Sequence, residues 1–159
     1  MNAMRYAGYV KLAKLWERSR DSAITYHRNY YADLVQSMPD ATLADVYIDI
    51  TGQKEIRNRK EMIRLLKDCR DRKVDCILTQ TKAYLAANSR EFCYLFRYLS
   101  DMPNRIDVVT EDEQYHINTI HNSDNQKEAL LEMANSYIQF HPDDYIKWKQ
   151  NIDNAIMAL

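Results

Sequence analysis

Lys54, Arg57, Arg59, Lys60 and Arg64 put five cations on the single stretch KEIRNRKEMIR. Cations at this density can hold phosphate oxygens or stabilise negative charge developing on them, arginine through a planar fork that lysine lacks. The same pattern also fits a solvated loop and helix surface. A carboxylate, Asp49, and a further cation, Lys11, each stand at the end of an apolar run. Tyr26, Tyr30 and Tyr31 flank Arg28, where they could stack on bases or, at helical spacing, rim a core or an interface. Other chemistries are poorly served. With two glycines, Gly8 and Gly52, no GxGxxG fingerprint or P-loop can be written, so nucleotide binding through a glycine-rich loop is excluded. Cys69, Cys76 and Cys93 form no CxxC and read as reduced thiols packed in a core. His116 and His121 miss the i,i+4 spacing of a helical metal pair, so they read as solvated loop histidines, with no metal and no cofactor expected.

The charge is unevenly spread. Residues 1–110 carry 19 Lys/Arg against 14 Asp/Glu, net +5, and residues 111–159 carry 3 against 9, net −6. An acidic C-terminal third repels phosphates, so any nucleic-acid contact is expected from the first two thirds. No apolar run approaches a membrane span and the N-terminus has no signal-peptide pattern, so a cytoplasmic location without membrane contact is expected. At 159 residues and 46% apolar composition, one globular domain is expected, with an α/β unit over residues 1–110 and a helical extension of it over 111–159.

Positioning these residues falls to alternating strands and helices. Strands are expected at Met4–Leu12, Ala44–Ile50, Val74–Thr79 and Ile106–Thr110. A helix from Asp21 to Met38 has Ile24, His27, Tyr31, Leu34, Val35 and Met38 on one face, and Pro39 stops it. A second, Arg59–Arg70, turns Met62, Leu65, Leu66 and Cys69 inward. A third is expected to start at Asn88, whose side chain can cap the first turn, with Glu91 favoured by the helix dipole. Ser123 and Gln126 fit a capping box for a fourth, and Pro142 opens a fifth with Tyr145, Trp148, Ile152, Ile156 and Leu159 on one stripe. That stripe is read as the packing face of the last helix or a dimer contact. The fold class follows: an open, mostly parallel α/β sheet of four to five strands, helices on both faces, and C-terminal helices. Ligands in such sheets bind beyond the carboxyl ends of the strands, here Lys11–Lys14, Asp49–Lys54, Thr79–Asn88 and Thr110–Glu113.

Three segments in order resemble the catalytic domain of the serine recombinases, the resolvases, invertases and large serine integrases. Tyr9-Val10-Lys11-Leu12-Ala13 is similar to the family's Y-x-R-V/L-S opening. Residues 47–66, YIDITGQKEIRNRKEMIRLL, resemble its Y-I-D-D-G segment and the R-P-G-F stretch that follows. Residues 73–92, KVDCILTQTKAYLAANSREF, resemble its K-I-D segment leading to S-R-x-x-R-N. The resemblance implies a resolvase-like fold and a phosphodiester chemistry in which a serine attacks DNA phosphorus while arginines stabilise the phosphoryl oxygens.

Carried over position by position, the nucleophile falls on Ala13 and its neighbouring arginine on Lys11. The S-R-x-x-R-N arginines fall on Tyr84 and Ala87, with Ala83 for the serine and Asn88 retained. Asp49 and Arg59 match an acid and an arginine of the pattern, and the small S-G pair is replaced by Gln53-Lys54. Ser19 and Ser22 are the nearest alternative serines along the chain. The expectation is therefore a catalytically inactive domain, an interaction or regulatory module linked to recombination, pairing with itself or with a recombinase. Lys11, Lys54, Arg57, Arg59 and Arg64 are the residues that would face DNA if it bound weakly without cleavage. An unrelated enzyme using Asp49, Lys11 and Arg59 on a small anionic substrate is the alternative. The family's DNA-binding region is not expected within residues 111–159, which are acidic and carry no CxxC pair.

Overall fold

A computed structural model describes residues 3–111 and 124–159. The central strand, β1 (Met4–Leu12), is flanked by β2 (Ala41–Ile50) and β3 (Cys76–Thr79), and β4 (Asp107–Thr110) pairs with β3. The order β2-β1-β3-β4 is parallel throughout. Four strands thus form the sheet among the described residues, the lower of the two numbers expected. Parallel neighbours require crossovers, supplied by α1 (Arg20–Gln36), α2 (Lys60–Arg70), and α3 (Lys82–Leu85) with α4 (Ser89–Ser100). Two further helices follow, α5 (Asp124–Phe140) and α6 (Pro142–Met157).

Strand periodicity sorts the core into two layers. Tyr6, Val10 and Leu12 of β1 join Val46, Ile48, Cys76 and Leu78 beneath α1, whose Ala23, Tyr31 and Val35 close that face. Ala7 and Tyr9, pointing the other way, join Tyr47, Ile77 and Val108 beneath α2, α4 and α6. The α2 residues expected inward, Met62, Leu65, Leu66 and Cys69, are all fully buried, and the three cysteines are buried free thiols. Gly8 is required by a close approach: a Cβ there would lie 2.6 Å from the Tyr31 ring.

Several expectations shift. The first helix ends at Gln36 and its Met38 and Leu34 are only partly buried; Ala23, outside the expected face, is buried. Asn88 caps α4 as expected, its Oδ1 accepting the Glu91 amide at 2.8 Å. Along α6, Ile152 and Ile156 are buried, but Leu159 lies beyond the helix end and is 60% exposed, so it does not extend the stripe. The short α3, capped by Thr81, and 3-10 turns at Lys14–Ser19 and Ile56–Asn58 were not legible in the pattern. The Ser123/Gln126 capping pair and His116 and His121 lie outside the described residues or their described side chains.

Candidate active-site crevice at the carboxyl end of the sheet

Strand pairing brings the first two candidate segments together. Lys11 stands directly opposite Asp49 in the β1–β2 register, and Leu12 O accepts the Thr51 amide at 3.0 Å. Ala13 is exposed just beyond, where β1 gives way to the 3-10 turn Lys14–Ser19, and its carbonyl accepts the Trp16 amide at 3.0 Å.

Asp49 is buried and its acceptor capacity is taken. One oxygen accepts the Glu61 amide at 2.9 Å; the other accepts the Met62 amide at 2.9 Å and the Tyr9 hydroxyl at 2.8 Å. The carboxylate thereby satisfies two of the free N–H groups that open α2 and sits at the positive end of that helix. The residue in the N-cap position, Arg59, makes no side-chain cap of its own. Tyr9 is held as a neutral phenol, its pKa raised well above the ordinary value by burial and then by the Asp49 charge.

Arg59 is 1% exposed. Its guanidinium donates to three main-chain carbonyls: Tyr84 O at 2.7 Å, Leu85 O at 3.1 Å and Lys54 O at 2.6 Å. Its Nε is buried without a partner. The arginine therefore staples the loop after β2 to α3. Lys11, half-buried beside it, has its pKa lowered by burial first and then by the Arg59 charge, with Lys54 adding to the effect.

The remaining cations of the cluster are largely paired. Arg64 donates to Asp45 at 2.9 Å and to both Glu61 oxygens at 2.9 and 3.0 Å, and lies 4.0 Å over the Tyr47 ring. Those carboxylates, Glu61 foremost, raise its pKa. Arg57 is exposed and bonded to Glu55 at 2.7 Å. Lys11 and Lys54 form no ion pair with a described residue. Tyr84 is partly buried and packs against both core layers; Ala87 is exposed. Ser19, the last residue of the Lys14–Ser19 turn, and Ser22 in α1 are exposed. Of the aromatics around Arg28, Tyr31 is core, Tyr30 donates to Glu111 at 2.6 Å, and Tyr26 is 62% exposed.

Two open grooves border the crevice. One of about 490 Å³ has Asp49, Thr51, Asn58 and Glu61 in its walls, without Lys11 or Arg59. The other, about 440 Å³, has Lys54, Arg57, Ala87, Arg90 and Trp148 in its walls. There the Trp148 indole donates to the buried Glu91 at 2.9 Å, and Arg90 pairs with Asp144 at 2.6 Å. The sequence pattern marked Tyr9 only as a strand residue and the tyrosine of the family-like opening, not as a partner of Asp49, and it did not flag the contact with α6, whose Glu91–Trp148 pair is 57 positions apart. Among the described residues no group of His, Cys, Asp and Glu could hold a metal, and no helix is long and apolar enough to cross a membrane.

No protein-family model matches the chain, and no curated protein matches it. Solved structures do. The chain is similar to the N-terminal catalytic domain of TP901-1 integrase, with 19% identity, 87% of this chain and 97% of that one covered, and a TM-score of 0.61. It is also similar to the C-terminal catalytic domain of ISC1926 TnpA, an IS607-like serine recombinase, with 18% identity, 68% and 70% covered, and a TM-score of 0.54. The fold is that of a serine-recombinase catalytic domain. In an open parallel sheet ligands bind beyond the carboxyl ends of the strands, here the ends of β1 and β2.

Proposed function

We propose that the chain is a serine-recombinase-like domain that does not cleave DNA and acts as an interaction or regulatory module in recombination. One observation carries this reading: the acid and the arginine that match the family pattern in residue type, Asp49 and Arg59, are both engaged in main-chain hydrogen bonds. Phosphoryl transfer needs a nucleophile and preorganised donors aimed at the developing charge. Ala13 offers no hydroxyl, and Tyr84 and Ala87 offer no cation. The partner is a second copy of the chain or an active recombinase of the same fold.

The test incubates the purified protein with supercoiled plasmid and, separately, uses it to capture an active serine recombinase of the same fold. Intact plasmid and a captured recombinase or a self-associated protein are expected. Nicked plasmid, or a protein that stays monomeric and captures nothing, contradicts the reading.

Lys11 and Lys54, close to Arg59 and without ion pairs among described residues, favour a second reading, weak binding of DNA without cleavage. It predicts a retarded DNA band that vanishes steeply as salt rises, since such binding rests on counterion release. The reading as an enzyme for a small anion is less favoured, because the open groove that Asp49 lines has neither Lys11 nor Arg59 in its walls.

A further inference from the structure

Among the exposed apolar side chains of the described residues, two groups are flanked by charges of opposite sign. Leu15 and Trp16, in the 3-10 turn Lys14–Ser19, are 73% and 50% exposed, and that turn buries none of its residues. Lys14 and Arg18 flank them without an ion pair to any described residue, while Glu17 is taken by Arg20 at 2.9 Å. On α5, Ala129, Met133 and Phe140 fall on one helical face, Met133 being 49% and Phe140 78% exposed. Glu128 and Glu132 run beside that row, exposed and likewise unpaired among described residues.

We infer that the Leu15–Trp16 turn of one copy docks on the outward face of α5 of a second copy. This pairing rests on the interaction-module reading above and names the surfaces it uses. Apolar side chains meet apolar side chains, and Lys14 and Arg18 meet Glu128 and Glu132, which is the complementarity that sets register and excludes like-charged partners. What selects a second copy is that both halves of the match are written on this chain, in the net +5 of residues 1–110 and the net −6 of residues 111–159. The acidic α5 face opposes phosphate-rich surfaces such as DNA or an anionic membrane. Made once, from the turn of one copy to α5 of the next and not returned across a two-fold axis, the contact is heterologous.

A heterologous contact has a distinctive test. Trp16→Glu and Phe140→Glu alter exposed side chains, so both variants should keep the wild-type circular dichroism. In sedimentation experiments the wild type is expected to self-associate, and each variant alone to associate about 30-fold more weakly, as loss of an aromatic anchor typically gives. An equimolar mixture of the two should recover a heterodimer, because an intact turn on one variant meets an intact α5 on the other. A monomeric wild type, variants that associate as it does, or a mixture no better than its components overturns the inference. If the chain still captures a recombinase in those cases, the interaction-module reading stands without these surfaces; nicking of plasmid by the wild type removes that reading whatever the sedimentation shows.

Discussion

Three hydrogen bonds converge on the Asp49 carboxylate, from the Tyr9 hydroxyl and the Glu61 and Met62 amides, and Asp49→Ala removes them together. Losing a helix cap and orphaning a buried phenol should cost about 2 to 4 kcal/mol, read as a lower urea midpoint at unchanged slope. An acid serving only chemistry would cost little on removal. Arg59→Lys should likewise destabilise, by about 2 to 3 kcal/mol, since an ammonium cannot reach all three carbonyls held by the guanidinium fork. His27 supplies a pH dependence. It is 8% exposed, its Nδ1 has no partner, and burial lowers its pKa. The unfolded chain, with an ordinary histidine pKa of about 6.5, therefore takes up the proton first as pH falls, and stability declines below that value. The urea midpoint should drop more between pH 7 and pH 5.5 in the wild type than in His27→Gln.

At the scale of the elements, α1 is seated on β1 through Tyr31 and Gly8. Gly8→Ala drives a methyl into the ring at 2.6 Å, and overpacking of this kind should cost about 1 to 3 kcal/mol. Tyr31→Phe should be neutral or stabilising by thermal melt, because the Tyr31 hydroxyl is buried with no partner and its removal relieves a desolvation cost. The elements were legible wherever period and punctuation agreed. β1 spans Met4–Leu12 as the apolar-leaning stretch suggests, Asn88 caps α4, and Pro142 opens α6. Legibility failed where tertiary contacts decide. The 3-10 turn at Lys14–Ser19 has no buried residue to create a pattern, and α3 is a four-residue turn held by a threonine cap and by Arg59 reaching its carbonyls from 25 positions away. The candidate site was half legible for the same reason. Residue identities told which positions lacked a hydroxyl or a guanidinium, but only geometry shows that Arg59 turns toward backbone carbonyls and that Arg64 is held by Asp45 and Glu61.

Across the whole molecule, the C-terminal helix packs into the same layer as α2 and α4. Trp148 bonds Glu91 and lies among Tyr94, Tyr98 and Tyr145, and Asp153 accepts Arg70 at 2.5 Å. The Trp148 and Tyr145 stripe is thus spent on intramolecular packing, while the Leu15–Trp16 turn and the outer face of α5 keep exposed apolar side chains. The sheet end has the fold of the serine-recombinase catalytic domains it is similar to, while Asp49 and Arg59 hold a helix terminus and loops in place. On the proposed reading, a hydroxyl introduced at residue 13 alone should confer no cleavage. The decisive measurement incubates Ala13→Ser with supercoiled plasmid and assays both nicking and a covalent protein–DNA adduct at residue 13. Intact plasmid and no adduct are predicted, because Tyr84 and Ala87 leave the phosphoryl charge unsupported and Arg59 is committed to main-chain carbonyls; a phosphoserine-linked adduct from that single variant would contradict the assignment.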